Sequence, residues 1–163
     1  MECSKKRRID LVDLTENNLG VFRMLHQVIF PITYDERFYE ESLKMGELVK
    51  LAYFNDICVG CIRCQLENKK LYLMTLGVLA AYRGLGIDHI LQQAKKQNIE
   101  TIYLHVWTEN KEAIDWYTKR EFRILETLSN YYTKIHPGTA YVLIHFYSIC
   151  PYLKAKNMMN FFH

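Results

Sequence analysis

The stretch from Leu71 to about Ala94, LYLMTLGVLAAYRGLGIDHILQQA, constrains the fold more than any other part of this chain. An apolar run from Leu71 to Leu79 leads through Ala80, Ala81 and Tyr82 into Arg83-Gly84-Leu85-Gly86. Beyond it Ile87, Ile90, Leu91 and Ala94 recur at helical spacing. The order is strand, glycine turn, helix. Such a turn lets bare backbone approach a ligand, and the first turn of the helix adds unpaired N–H groups at the positive end of the helix dipole. That is how a phosphate cradle is built. The P-loop lysine is missing, and His89 stands where a G-x-G-x-x-G finger counted from Gly84 would close, so neither a mononucleotide loop nor a Rossmann finger describes it. On the residues alone, a tight turn that binds nothing is the alternative.

With 163 residues, half of them hydrophobic, the chain can bury a real core, and a single domain over residues 1–147 with a divergent tail over 148–163 is expected. The formal charge of +3 is thinly spread apart from Lys5-Lys6-Arg7-Arg8, and no nucleic-acid surface is implied. No apolar segment is long enough to span a bilayer, since the run from Ala140 to Leu153 carries His145 and Pro151. A soluble intracellular protein without membrane contact is expected. Five cysteines, an odd number, argue for a reducing compartment. Cys58-x-x-Cys61-x-x-Cys64 has a metal-like spacing, but on a strand Cys61 faces away from the other two, so small buried cysteines are expected rather than a metal site.

Ile9 to Leu14 alternates as a strand, with Thr15 as a helix N-cap, and Leu19, Phe22, Leu25, His26, Val28 and Ile29 define an amphipathic helix stopped by Pro31. After the apolar loop Phe30 to Tyr34, a short helix covers Asp35 to about Met45. Asn55-Asp56 then joins strands Val49 to Phe54 and Ile57 to Gln65 as a hairpin, and a turn at Glu67 to Lys70 leads into the Leu71 strand. Thr101 to Val106 forms the next strand, parallel to the Leu71 strand because a helix connects them. A helix from Asn110 to Arg120, a strand from Phe122 to Leu128, a loop carrying Asn130-Tyr131-Tyr132 and Pro137-Gly138, and a strand from Ala140 to Tyr147 complete the chain.

This element order, the R-x-x-G segment Arg83 to Gly86 and the N-x-x-A-x-x-x-Y helix of Asn110, Ala113 and Tyr117 resemble the GNAT superfamily of acetyl-CoA-dependent N-acetyltransferases. The phrases QVIFPITY (Gln27 to Tyr34), ELVKLAYFND (Glu47 to Asp56), LYLMTLG (Leu71 to Gly77), IYLHV (Ile102 to Val106), AIDWY and NYYTKI (Asn130 to Ile135) are similar to the N-alpha-acetyltransferase 50 family, the NatE catalytic subunits. The resemblance runs from about Arg8 to Leu143. It implies an α/β (α+β) GNAT fold: a mixed, mostly antiparallel sheet with a central splayed parallel strand pair, flanked by helices. It further implies transfer of acetyl from acetyl-CoA, without a metal, to the N-terminal amine of polypeptides beginning with methionine and a hydrophobic residue. Lysine and histone acetylation, a role in sister-chromatid cohesion, association with the auxiliary and catalytic subunits of NatA and through them the ribosome, and a cytoplasmic and nuclear location are also implied.

An α-amine with a pKa near 8 needs only modest help to lose its proton, and a tyrosine and a histidine holding a water can supply it. Tyr72 shares a strand face with Met74 and Leu76, and His105 shares one with Tyr103; if the registers agree, both reach one cleft. On the residues alone, a core tyrosine and a satisfied strand histidine are the plainer readings. The resemblance makes Tyr72 and His105 the water-holding catalytic pair, and it places Tyr117 near the thioester sulfur. It assigns Leu76, Gly77 and Val78 to the pantetheine arm, and Arg83, Gly84, Leu85, Gly86, Ile87 and Asp88 to the pyrophosphate, with Asn110, Ala113 and Tyr117 also on the cofactor side. Phe30, Pro31, Ile32, Tyr34 and Met74 match the wall for the substrate methionine, and Tyr131, Tyr132 and Ile135 match the residues closing over the peptide backbone.

The chain departs from the family on the cofactor side. Asp88 replaces the small residue that closes R/Q-x-x-G-x-G/A, and a carboxylate about 5 Å from a pyrophosphate charge costs roughly 3 kcal/mol at an effective dielectric of about 20. Gly84 stands where relatives carry a second arginine, Glu121 where they carry glycine, and the segment from Gly86 to Thr101 is short. A catalytically weakened paralogue that binds peptide or NatA is therefore the alternative to an active enzyme.

Overall fold

The computed structural model describes residues 9–83 and 99–146. They fall into two compact units. Residues 9–65 and 73–83 form the first, and residues 66–72 and 99–146 the second.

In the first unit β1 (Ile9–Asp13) pairs antiparallel with β2 (Val49–Phe54), and β2 with β3 (Ile57–Glu67) through the Asn55-Asp56 hairpin. Asn55 takes a φ of 53°, the left-handed conformation that asparagine tolerates in a tight hairpin. β4 (Lys70–Val78) lies beside β3. Helix α1 (Leu19–Ile29) stops at Phe30, the residue before Pro31, which adopts the extended conformation a following proline demands. The expected Thr15 cap is not formed. Residue Asn18 occupies the N-cap position without a side-chain bond to the helix; its Oδ1 instead takes the Thr15 amide at 2.8 Å and its Nδ2 bonds the Asp13 carbonyl, tying the helix start to the end of β1. Helix α2 (Glu36–Leu43) is capped by Asp35, which accepts from the Phe38 amide at 3.0 Å. Phe22 and Leu25 of α1, Phe38 and Tyr39 of α2, Val49 and Leu51 of β2 and Cys61 of β3 make the core of this unit.

Strand parity fails for one pair of the cysteines: a register shift between Ala52 and Tyr53 pairs Cys58 with Tyr53 and Cys61 with Leu51, so Cys58 and Cys61 lie against the same core instead of facing apart as expected. Cys61 Sγ lies 3.8 Å from His26 Nδ1, while Cys58 Sγ turns to the Gly60 carbonyl. Burial pushes the Cys64 thiol up to about 12. Arg63, three per cent exposed, lies over the Phe38 ring at 4.1 Å and donates to the Phe38 carbonyl at 3.2 Å.

In the second unit the first residues of β4 pair in parallel with β5 (Thr101–Trp107), β5 pairs antiparallel with β7 (Ala140–Phe146), and β7 with β6 (Arg123–Leu128). Helix α3 (Lys111–Thr118) precedes β6. The sheet is mixed, as expected for a GNAT fold, with β4 and β5 as its parallel pair. That parallel ladder has three rungs, Lys70↔Thr101, Leu71↔Ile102 and Tyr72↔Tyr103. Along β5 the residues Ile102, Leu104 and Val106 are buried, which leaves Tyr103, His105 and Trp107 on the more open face. Among the described residues no helix is long and apolar enough to cross a membrane.

Candidate active site

In the second unit Tyr72 stands on the last rung of the parallel ladder, opposite Tyr103. The two rings are stacked, 4.8 Å apart and 19° from parallel. His105 follows Tyr103 by one full pleat on the same face, and its Nδ1 reaches the Tyr72 hydroxyl at 3.1 Å. On its other side the Tyr131 ring stacks against His105 at 4.5 Å and 10°. The Tyr72, Tyr103 and His105 rings thus form a triangle, with 4.8, 5.5 and 6.3 Å between centroids, and Tyr131 stacks on the His105 ring.

The β6–β7 connection that delivers Tyr131 and Tyr132 is tied down by its backbone. Tyr132 donates its amide to the Gly138 carbonyl at 2.9 Å, and Trp107 Nε1 bonds the Pro137 carbonyl at 2.7 Å. A Cβ at position 138 would sit 2.4 Å from the Tyr132 carbonyl oxygen, so only glycine fits there. Tyr131 and Tyr132 meet edge to face at 4.9 Å, and burial pushes Tyr132 up to about 12.

Burial also raises the Tyr72 phenol well above its ordinary range, reinforced by a hydrogen bond with Tyr131. It lowers His105 against a smaller opposing pull from Glu126. At neutral pH the pair is thus an intact phenol and an uncharged imidazole. If the phenol donates to Nδ1, its oxygen can take a proton while passing its own to the ring; if Nδ1 carries the hydrogen, Nε2 is the free base. Either arrangement accepts one proton without forming a phenolate.

The other expected residues of this unit serve its own packing. Tyr117 is buried against Trp116 and Phe122, at 5.0 and 5.2 Å between ring centroids. Asn110 Oδ1 caps α3 by accepting from the Ala113 amide at 3.2 Å. Ile135 is half-buried.

In the first unit Phe30, Pro31, Ile32 and Tyr34 line the loop between α1 and α2. The Phe30 and Tyr34 rings meet edge to face at 6.3 Å, and Tyr34 stacks on Phe38 at 4.1 Å. Met74, Leu76 and Val78 lie half-buried on one face of β4, and Met74 packs against the core of this unit. Gly77 is required by close approach, since a Cβ there would lie 2.7 Å from Ile29 Cγ2 and 2.9 Å from Phe30 Cζ. Arg83 Nε donates to the Val78 carbonyl at 3.3 Å. Gly84, Leu85, Gly86, Ile87 and Asp88, the expected pyrophosphate turn, lie outside the described residues.

Three contributors escaped the sequence reading. His26 appeared there only as one member of an amphipathic helix, Thr75 not at all, and Glu67, which accepts from the Tyr103 hydroxyl at 2.7 Å, only as a turn residue. Each acts through a partner distant in sequence, which no local pattern signals. No group of three or more His, Cys, Asp or Glu that could hold a metal occurs among the described residues.

Comparison with known proteins agrees with this geometry. The Acetyltransferase (GNAT) family matches residues 15–122. N-alpha-acetyltransferase 50 of Danio rerio is 48% identical over 148 residues, covering 85% of this chain and 88% of its own. The chain belongs to the N-alpha-acetyltransferase 50 family of GNAT acetyltransferases. A second relative, the probable N-acetyltransferase san of Drosophila melanogaster, is 43% identical over 145 residues, covering 83% of this chain and 79% of its own. Among solved structures, Arabidopsis thaliana Naa50 in complex with the bisubstrate analogue CoA-Ac-MVNAL superposes with a TM-score of 0.79 at 44% identity, covering 85% of this chain and 99% of that one. Ard1 from Thermoplasma volcanium, at 21% identity and a TM-score of 0.76, shares the fold.

Proposed function

We propose that this chain is a protein N-terminal α-acetyltransferase that moves acetyl from acetyl-CoA to the amine of polypeptides beginning with methionine and a hydrophobic residue. The observation that carries this reading is the Tyr72–His105 hydrogen bond, 3.1 Å long, with Tyr103 stacked on the tyrosine and Tyr131 on the histidine. An uncharged imidazole and an intact phenol suit the removal of one proton from an α-amine whose ordinary pKa is near 8. Acetyl-CoA supplies the activated thioester. Tyr72 and His105 take the amine proton through a bound water; Tyr131 and Tyr132 present hydroxyls that hold an extended peptide backbone without selecting its sequence. Phe30, Pro31, Ile32, Tyr34 and Met74 offer the first side chain an apolar wall, which explains a preference for methionine. Leu76, Gly77 and Val78 are assigned to the pantetheine arm, Arg83 to Asp88 to the pyrophosphate, Asn110 and Ala113 to the cofactor side, and Tyr117 to the thioester sulfur.

The bisubstrate complex of the Arabidopsis relative, whose peptide begins Met-Val, supports the same substrate class here. Family membership further supports lysine and histone acceptors, association with NatA and through it the ribosome, a part in sister-chromatid cohesion, and a cytoplasmic and nuclear location.

The test is acetyl transfer to synthetic peptides, followed by coenzyme A release, with calorimetry of acetyl-CoA binding alongside. Met-Leu and Met-Val peptides are expected to be acetylated at the α-amine and to outcompete peptides with an acidic second residue. Saturable peptide binding without acetyl-CoA binding would identify the chain instead as a peptide- or NatA-binding module. In that case Asp88→Asn, which removes the charge at the pyrophosphate turn, is the variant that reports whether Asp88 is the cause.

A further inference from the structure

His26 has no solvent exposure and lies at the centre of the first unit's aromatic cluster. Its Nδ1 donates to the Phe22 carbonyl one turn back at 2.9 Å, which leaves Nε2 as an acceptor for the Thr75 hydroxyl at 3.1 Å. Both ring nitrogens are therefore satisfied and the tautomer is set. The ring touches Phe30 at 5.1 Å and Tyr34 at 5.3 Å, the two aromatics of the substrate loop. Thr75 is two per cent exposed and stands on β4 between Met74 and Leu76, with its side chain on the opposite face from theirs. A polar peg thus joins the floor strand to the loop that walls the substrate.

We propose that His26 is a specificity-determining positioning residue, which through Thr75 on one side and Phe30 and Tyr34 on the other sets the depth of the apolar wall receiving the first side chain of the peptide. This rests on the reading of the Phe30–Tyr34 loop as that wall. A purely apolar residue would fill the same volume but could not fix the ring plane, because van der Waals contact is nearly indifferent to small sliding while two hydrogen bonds are not. Burial pushes His26 down to about 4, so the peg stays uncharged across the working range of pH. The charged and titratable groups around it are the Arg63 guanidinium, which opposes protonation, the Cys61 thiol at 3.8 Å, and the Tyr34 and Tyr39 rings.

The experiment uses the full chain and peptides differing only in the first residue, Met, Leu or Ala. Thr75→Val keeps the volume of the side chain and removes the hydroxyl, leaving Nε2 a buried acceptor without a partner. It is expected to raise KM for the Met peptide about tenfold with kcat within twofold, and to narrow the preference for Met over Ala, the pattern of lost binding rather than lost chemistry. Thr75→Ser, which keeps the hydroxyl, is expected to restore both quantities, and His26→Asn, too short to span from Phe22 to Thr75, to behave as Thr75→Val does. Thermal melting confirms that each variant is folded. If the wild-type chain acetylates Met peptides while folded Thr75→Val keeps the wild-type KM and preference, or loses kcat instead, the inference is overturned. If the wild-type chain transfers no acetyl group to any peptide, the functional reading fails first, and peptide affinity of the same variants by calorimetry still decides whether His26 shapes the wall.

Discussion

The hydroxyl of Tyr72 and Nδ1 of His105 are 3.1 Å apart although the two residues stand on different rungs, because His105 lies one pleat beyond the last pair of the parallel ladder. That offset lets the tyrosine lean along the strand direction to reach the imidazole. Tyr72→Phe and His105→Ala are each expected to lower kcat by about 10²- to 10⁴-fold with a much smaller change in peptide KM, since the groups act mainly in the transition state. Steady-state kinetics with a Met-Leu peptide checks this.

The pH dependence follows from the direction of the His105 shift. The base is active when neutral, and burial holds its pKa below the ordinary value near 6.5. The acid limb of kcat is therefore expected below pH 6.5, and should disappear in His105→Ala. A limb centred above 6.5 would mean that imidazole is stabilised in its charged form, against the burial seen here.

Gly77 makes a different prediction. An added methyl would meet Ile29 Cγ2 at 2.7 Å, on a stiff β-branched side chain that cannot swing aside, and the Phe30 ring tip at 2.9 Å. Gly77→Ala is expected to cost about 1–3 kcal/mol of stability and to raise peptide KM by displacing Phe30. Denaturant midpoints and kinetics with the Met peptide measure both effects.

Much of this arrangement is readable along the chain. Pro31 ends α1, Asn55-Asp56 closes the β2–β3 hairpin, Asp35 and Asn110 cap their helices, and strand parity puts Tyr72 and His105 on open faces. These follow from local rules of turn, cap and pleat. The three-rung length of the ladder, the stacking of Tyr131 on His105, and the His26–Thr75 bond across 49 residues do not, because each depends on which distant element arrives and in what register. The Thr15 cap failed for a local reason: the Asn18 side chain takes the Thr15 amide and bonds the Asp13 carbonyl, and the helix starts only after Asn18.

His26 gives the chain a stability that depends on pH. In the unfolded chain it titrates near 6.5, whereas burial holds the folded-state value at about 4. Below pH 6.5 the unfolded state takes up the proton first, so stability is full above that pH and falls as the pH drops toward 4. The loss amounts to roughly 3 kcal/mol at the lower end. Urea midpoints between pH 7 and pH 4.5 are expected to fall more steeply for the wild type than for His26→Asn, and parallel slopes would show that His26 is not the group responsible.

Tyr103 separates two ways of holding the catalytic tyrosine. Its ring is the shelf under Tyr72, and its hydroxyl is anchored to Glu67 at the end of β3. With only three rungs of ladder, the ring of Tyr72 depends on that shelf for its angle toward His105. A stacked aromatic pair contributes about 0.5–1.5 kcal/mol beyond its buried area, enough to matter to a hydrogen bond that must hold its angle. Tyr103→Phe keeps the shelf and releases only the anchor, so kcat is expected to fall less than about fivefold; Tyr103→Ala removes the shelf and should cost about tenfold or more, since ~1.4 kcal/mol corresponds to a factor of ten. Glu67→Gln, which still accepts from the phenol, should match Tyr103→Phe or exceed it in activity. Equal losses in Tyr103→Phe and Tyr103→Ala would instead make the hydroxyl, and not the ring, the feature that holds Tyr72.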